Sequence, residues 1–265
     1  MKILGIVNIT EDSFSDGGKY LNPAAALTHA RMLAKNADIL DIGAASSNPD
    51  SAGVAPELEI ARLESVVPAL QKDGFALSID TFSTPVQCWA LTQGVDYLND
   101  IQGFADEVIY PELAASSAKL IVMHSVQGRG QATRVNVPPA DILPRIHRFF
   151  ETRFAALTEA GVKQDRLILD PGMGFFLGSD PQTSFTVLRA IEELKAAFGV
   201  PVLVSVSRKS FLRKITGREP GEAASASLAA ELFAALRGAD MIRTHDPAAL
   251  KDGLTTWVVL AGNRP

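Results

Sequence analysis

The sequence predicts an α/β protein folded as a (β/α)8 TIM barrel, and three observations carry the prediction. Short apolar runs of strand type alternate with helical segments at intervals of roughly 35 residues, and eight such runs can be picked out. Nearly every run ends in polar residues, which is where α/β proteins present chemistry, because ligands sit outside the carboxyl ends of parallel strands. No Gly-x-Gly-x-x-Gly follows the first run, which weighs against a doubly wound open sheet, the competing fold.

The elements follow in order. Ile3-Leu4-Gly5-Ile6-Val7 reads as a buried strand ending at Asn8, with a polar, glycine-punctuated loop from Ile9 to Gly18 behind it. Asn22-Pro23 opens a helix as N-cap and first-turn proline, with Ala26, Ala30, Leu33 and Ala34 on one face. The strand Ile39-Leu40-Asp41-Ile42 precedes a helix from Pro56 to Lys72 whose apolar stripe is Leu58, Leu63, Val66, Val67 and Leu70; Pro68 inside it predicts a kink or break. Ala76 to Ile79 is a strand ending at Asp80, followed by a helix near Pro85–Gln93. Tyr97-Leu98 is a short strand ending at Asn99-Asp100, with a helix near Ile109–Ser116 after it. Lys119 to Met123 is a strand ending at His124, with a loop from Val126 to Pro139 and a long helix from Ala140 to Ala160. Arg166 to Leu169 leads into Asp170-Pro171-Gly172, and a helix from Pro181 to Phe198 follows. Val202 to Val206 is a strand breaking into Ser207-Arg208-Lys209-Ser210, with an Ala/Leu-rich helix from Glu222 to Arg237 beyond it. Met241-Ile242 ends at Arg243-Thr244-His245, and a helix from Pro247 to Ala261 closes the series.

At 265 residues and 47% hydrophobic composition, the chain can bury one large core; no composition shift divides residues 1–265, so a single domain is expected. A net charge of -5 and a pI near 5.4 argue against nucleic-acid or anionic-membrane partners but leave room for a locally positive pocket. The single cysteine, Cys88, excludes internal disulfides and reads as a packing residue rather than a catalytic thiol. Lys2 is followed by only a short apolar run before Glu11 and Asp12, too short for a signal peptide, and no run approaches the ~18 residues of a membrane span. A cytoplasmic protein is expected. His29 and His147 fall in helices and read as surface residues.

Gathered at one barrel mouth, the strand ends sort into two chemistries. Asp80, Asn99, Asp170 and Lys209 suit an aminopyrimidine edge: a carboxylate accepts two N–H bonds from an N–C–N unit, and an amide serves a lactam as donor and acceptor. Asn8, Arg243 and His245 suit an anionic group such as a phosphate, and Thr10 and Asp12 could complete an oxygen-rich site for hydrated magnesium. There is no His/Cys zinc spacing, no P-loop and no nucleophile elbow.

The ordered set Asn8 to Gly18, Asp41-Ile42-Gly43, Ile79-Asp80-Thr81, Asn99-Asp100-Ile101, Met123-His124, Asp170-Pro171-Gly172, Ser207-Arg208-Lys209-Ser210 and Arg243-Thr244-His245-Asp246 resembles dihydropteroate synthase over nearly the whole chain. The resemblance implies a barrel that joins 6-hydroxymethyl-7,8-dihydropterin pyrophosphate to p-aminobenzoate with help from Mg2+. It implies that Asp80, Asn99, Asp170 and Lys209 hold the pterin, with Ile101 and Met123 among the substrate contacts. Asn8 would meet the metal, Arg243 and His245 the pyrophosphate, and Ser207 with Lys209 the p-aminobenzoate. A homodimer through the Ala-rich late helices is implied by the same analogy.

Two departures stand out. Where ordinary members read Ser-Thr-Arg-Pro, this chain has Ser46-Ser47-Asn48-Pro49: Ser47 keeps a hydroxyl for substrate, but Asn48 removes an expected anion contact. After Asp170-Pro171-Gly172 comes Met173-Gly174-Phe175-Phe176-Leu177-Gly178, a loop about two residues longer than usual. Both features resemble the sulfonamide-resistance (Sul-type) branch, and Phe175 and Phe176 are expected to narrow the p-aminobenzoate site against bulkier drugs. A methyltetrahydrofolate methyltransferase would share the pterin contacts but has no use for the Asn8, Arg243 and His245 set; a non-catalytic pterin-binding barrel would find its opening at Asn48.

Overall fold

The computed structural model describes residues 1–9, 22–46, 53–127, 130, 132 and 135–262. Eight strands, β1 (Lys2–Asn8), β2 (Ile39–Gly43), β3 (Leu77–Asp80), β4 (Tyr97–Asp100), β5 (Lys119–Met123), β6 (Leu167–Asp170), β7 (Leu203–Val204) and β8 (Met241–Thr244), pair in parallel in the order β6-β5-β4-β3-β2-β1-β8-β7. A parallel bridge between Leu169 and Val202 joins the two ends, with Leu169 N–H donating to the Pro201 carbonyl at 2.9 Å. The sheet is therefore a closed ring, the expected barrel.

The helices are α1 (Pro23–Leu33), α2 (Pro56–Glu64), α3 (Val67–Lys72), α4 (Thr84–Thr92), α5 (Tyr110–Ala115), α6 (Pro139–Glu159), α7 (Pro181–Arg189), α8 (Ile191–Phe198), α9 (Ser210–Thr216), α10 (Ala224–Leu236) and α11 (Pro247–Leu260). Most begin with proline in the first two positions, where its fixed φ is helical and its missing N–H would have had no partner. At the opposite end of the barrel, three aspartates just ahead of strands cap a neighbouring strand. Asp38 accepts from Ile3 N–H at 2.7 Å, Asp96 from Leu77 at 2.9 Å and Asp240 from Val202 at 3.0 Å.

Strand alternation builds the interior in tiers. Leu4, Ile39, Tyr97, Ile121, Ile168, Leu203 and Met241 form a buried apolar plug inside the ring. Two residues further along the same strands come Asp41, Asn99, Met123, Asp170 and Arg243, so a polar tier sits on an apolar floor. Outward residues such as Leu40, Ile42, Leu98 and Val122 join the larger core beneath the helices.

Four local expectations need correction. The 56–72 helix breaks at Val66 (φ -129°), two residues before Pro68 as that proline demands, but Leu58 is 47% exposed and Glu59 takes the buried position instead. The single helix expected from Pro181 to Phe198 is two, bent at Ala190, which keeps Val187, Leu188, Ile191 and Leu194 all buried. The strand expected over Val202–Val206 pairs regularly only at Leu203–Val204, because the chain turns away to form the 205–209 segment. His29 and His147 are both half-buried rather than surface residues, and His29 lies within electrostatic reach of His245. Cys88 packs partly buried against the core, and burial raises its thiol pKa, as suits packing rather than nucleophilic work.

Candidate active site

The polar tier opens into a cavity of about 340 Å³, counting its mouth. Its walls are Asp80, Asn99, Asp170, Lys209 and Arg243 on the polar side, with Ile101, Met123, Met173, Phe176 and Ser205 between them. Strand ends place most of these groups, so the closure of the ring brings residues from both halves of the sequence within hydrogen-bond reach.

Arg243 ties the mouth together. Its Nε donates to Asp41 and its Nη2 to Asp80, each at 2.5 Å. Asp41, fully buried, also accepts from Asn99 Nδ2 at 3.3 Å. Burial opposes the charge on Arg243, but Asp41 and Asp80 hold it above the ordinary arginine range. Burial pushes Asp80 up to about 7 despite Arg243, with Asp41 adding to the rise. Asp170 rises to about 6, again by burial, and is held back by the Gly172 N–H it accepts at 2.8 Å and by Lys209. Burial and then Arg243 lower Lys209 to about 8, while its Nζ lies 5.0 Å above the Phe176 ring. Three titratable groups shifted by burial and by their charged neighbours thus converge on one cavity, a pattern that accompanies functional sites.

Asn99 Oδ1 is buried and has no hydrogen-bond partner. An orphaned acceptor in a cavity wall is costly unless a ligand supplies the donor. Beneath it a scaffold fixes the loop after β4: Asp100 accepts from Gln102 N–H at 2.7 Å, Phe104 N–H at 2.9 Å and Gln87 Nε2 at 3.0 Å.

The loop after β6 is shaped by Gly172 (φ +74°), where a Cβ would collide with the His124 carbonyl oxygen. His124 is buried, bonded through Nδ1 to the Pro171 carbonyl at 3.2 Å, and lowered by burial to about 4, so it is neutral. Gly174–Phe176 then forms one 3-10 turn. Phe176 packs with Ile101, Met123 and Ala132, and Phe175 lies partly buried against the same cluster, near Phe82.

The structure thus brings Asp80, Asn99, Ile101, Met123, Asp170, Phe176, Lys209 and Arg243 onto one cavity. Arg243 sits among the carboxylates of that cavity rather than apart from them in a separate anion group. Ser207 and His245 stand beside it, His245 Nδ1 lying 3.0 Å from Ser207 Oγ. Asn8 ends β1 next to Gly43, and Phe175 packs partly buried against the Phe176 cluster without lining the cavity. Ser47, Asn48, Thr10 and Asp12 lie outside the described residues. Sequence reasoning did not assign roles to Asp41, Met173 or Ser205. For Asp41 a signal existed, a charged residue embedded in the apolar strand Ile39-Leu40-Asp41-Ile42, which has to be paired where it is buried.

Residues 4–245 match the family model described as "Pterin binding enzyme". The chain is 58% identical to dihydropteroate synthase type-2 of Escherichia coli, over 97% of this chain and 95% of that one. It is 52% identical to the type-3 enzyme of Escherichia coli (96% and 97% covered) and 49% to the type-1 enzyme of Pseudomonas aeruginosa (98% and 94%). Among solved structures, the Xanthomonas albilineans dihydropteroate synthase with 4-aminobenzoic acid superposes with a TM-score of 0.87 at 36% identity, covering 98% of this chain and 93% of that one. The Yersinia pestis enzyme in a sulfonamide drug complex gives 0.90 at 31% identity, covering 98% and 94%. A closed barrel, a polar cavity in the expected place and identity on this scale along almost the whole chain agree: the chain belongs to the dihydropteroate synthase family of pterin binding enzymes.

Proposed function

We propose that this chain condenses 6-hydroxymethyl-7,8-dihydropterin pyrophosphate with p-aminobenzoate, giving 7,8-dihydropteroate and pyrophosphate. The observation that carries the reading is the unpartnered Asn99 Oδ1 flanked by Asp80, Asp170 and Lys209 in one buried wall. That grouping offers a pterin what its edge requires: carboxylate acceptors for the N–C–N unit, an amide for the ring N–H groups and an ammonium for the lactam oxygen.

The chemistry follows from the same charges. The C–O bond to the pyrophosphate breaks early, leaving positive charge on the pterin methylene that nearby carboxylates stabilise. The arylamine nitrogen then forms the new C–N bond and releases a proton, so it needs placement more than activation. Arg243, paired with Asp41 and Asp80, and His245 just after it on the chain would serve the departing anion from this same end of the barrel. Magnesium, when bound, would neutralise the pyrophosphate oxygens. Asn8 fits such an ion: its amide oxygen ends β1 beside Gly43, whose missing side chain leaves that oxygen uncovered, and Mg2+ commonly keeps waters and substrate oxygens as its other ligands.

Insensitivity to sulfonamides is the finer part of the reading. Phe176 occupies the wall beneath Lys209, where a larger arylamine analogue would have to fit, and Phe175 backs that wall from behind through the same cluster. A homodimer through the late helices is supported by the exposed apolar residues Phe233 and Leu236 on α10 and Trp257 and Leu260 on α11. Among the described residues no helix is long and apolar enough to cross a membrane.

The test is pyrophosphate release from the pterin pyrophosphate with magnesium, with and without p-aminobenzoate, repeated across a sulfonamide titration. Amine-dependent release that survives the drug supports both parts. Release abolished by the drug keeps the synthase and sinks the insensitivity. No amine-dependent release from folded protein overturns the reading in favour of a binding-only barrel.

A further inference from the structure

We infer that Ser227, on α10, is a positioning residue that holds the Ser207-Arg208-Lys209 turn in the backbone form that sends Lys209 into the cavity. Arg208 has φ +58°, and Phe104 is the one other non-glycine residue with a positive φ among the described residues. An arginine in that region is strained, because its Cβ crowds the following carbonyl oxygen. The Lys209 N–H donates back to the Val206 carbonyl at 3.2 Å, so residues 206–209 close a turn with Arg208 in third place. A turn that needs positive φ in third place is ordinarily built with glycine or asparagine. Strain of this kind persists only where the surroundings enforce it.

Ser227 supplies the enforcement. Its Oγ accepts the Arg208 N–H at 2.9 Å and donates to the Ala223 carbonyl at 2.7 Å. The single hydroxyl proton is thus committed within the helix, and a lone pair is left for the turn. Ser227 is buried, on a helix otherwise rich in alanine and leucine. The helix itself gains nothing from it: alanine is the better helix former, and a hydroxyl bonded back to the carbonyl four residues earlier slightly weakens the helix. Without the hydroxyl, the Arg208 N–H loses its acceptor and nothing offsets the strained dihedral.

The residues on either side of Arg208 both serve the site. Ser207 Oγ accepts the His245 N–H at 3.2 Å, and Lys209 lines the cavity with Asp80 and Asp170, its Nζ 5.0 Å above the Phe176 ring. Rotation of the backbone at Arg208 redirects what flanks it. A turn held in place for only a fraction of the time presents Lys209 for only that fraction, and apparent affinity falls in proportion. That Lys209 meets the pterin rests on the proposed reaction; the brace does not.

Two measurements on the full-length protein test this. In amide hydrogen exchange, the Arg208 N–H is expected to be protected in the wild type and to exchange on the order of tenfold faster in Ser227→Ala, with the amides of β7 and β8 unchanged. An unprotected Arg208 N–H in the wild type, readable whether or not the variant folds, overturns the inference, as does equal protection in Ser227→Ala. The second is the Kd for 6-hydroxymethyl-7,8-dihydropterin pyrophosphate with magnesium, in Arg208→Ala and Arg208→Gly, each with and without Ser227→Ala. Both replacements remove the arginine side chain, but only glycine takes positive φ at little cost. Ser227→Ala is expected to weaken binding on the order of tenfold beside Arg208→Ala and less than about threefold beside Arg208→Gly. A merely structural serine predicts equal losses in the two backgrounds, and equal losses overturn the inference. The expected exchange rates in a wild-type protein that does not bind the pterin pyrophosphate would leave the brace standing and count against the proposed reaction.

Discussion

Nε of Arg243 donates to Asp41 across the barrel mouth, although 202 residues separate the two in sequence. The pair joins the last strand to the second and makes Asp41 the shared acceptor for Arg243 and Asn99. Truncating one member of a buried ion pair leaves the other uncompensated, typically at 3–5 kcal/mol. Because Asp80 still pairs with Arg243, Asp41→Ala is expected to cost about 3 kcal/mol in denaturant unfolding, and Asp41→Asn clearly less. A loss below about 1 kcal/mol for the alanine variant would show that Asp80 alone satisfies the guanidinium.

Stability should fall as pH rises from about 5 to 7.5 in the ligand-free protein. Asp80, Asp100, Asp170 and Glu231 have folded pKa values raised to between about 6 and 7, above their unfolded values near 4. In that window these four carboxylates hold more protons in the native state than in the unfolded chain and outnumber His124 and His245, whose lowered pKa values act in the opposite sense, so the unfolding free energy decreases with pH. Thermal melts across the range check the sign, and Asp170→Asn should flatten the slope. A melting temperature that climbs steadily from pH 5 to 7.5 contradicts the burial of these carboxylates.

Much of this arrangement was legible before any coordinates. Period-two alternation on a parallel strand sends the residue two beyond an inward apolar one to the same cavity, so Tyr97 points to Asn99, Ile168 to Asp170 and Met241 to Arg243. Proline-opened helices likewise declared their own starts. What stayed hidden depends on contacts distant in sequence. Asp41 reads as one more strand-end polar residue until β8 is laid against β1 and Arg243 reaches it. The bend at Ala190 carries no glycine or proline, and Leu58 and Glu59 differ by one position on a helix whose rotation is fixed by what it packs against. Glu231 looks like a surface charge on an alanine-rich helix unless its burial is known.

Gly172 is a position where backbone conformation and collision can be separated. Gly172→Ala must adopt φ +74° and push a Cβ into the His124 carbonyl, whereas Gly94→Ala meets only the dihedral cost at φ +68°, with nothing nearby. Gly94→Ala is expected to cost about 1 kcal/mol, and Gly172→Ala about 3 kcal/mol or more, because backbone atoms cannot give way. Since Gly172 N–H is also the donor to Asp170, pterin affinity should fall with it. Equal destabilisation of the two variants would mean that the His124 carbonyl moves freely.

Selectivity against sulfonamides turns on which phenylalanine forms the wall. Phe176 is 6% exposed, lies under the Lys209 ammonium and touches Ile101 and Met123, so its removal enlarges the cavity itself. Phe175 is only partly buried and does not line the cavity, so its effect passes through the packing of its neighbour. Specificity is a difference of affinities, and a wall that excludes the larger ligand costs the smaller one little. Phe176→Ala is therefore expected to lower the sulfonamide inhibition constant on the order of tenfold or more, equivalent to about 1.4 kcal/mol, while the p-aminobenzoate KM changes less than about threefold. Phe175→Ala should produce a smaller change in the same direction, and deleting Gly174 with Phe175 a larger one, because the 3-10 turn that holds Phe176 would shorten. Inhibition constants measured at fixed pterin pyrophosphate decide the matter. If all three variants keep the parent's drug response, the two rings are packing at the barrel top and the exclusion lies elsewhere.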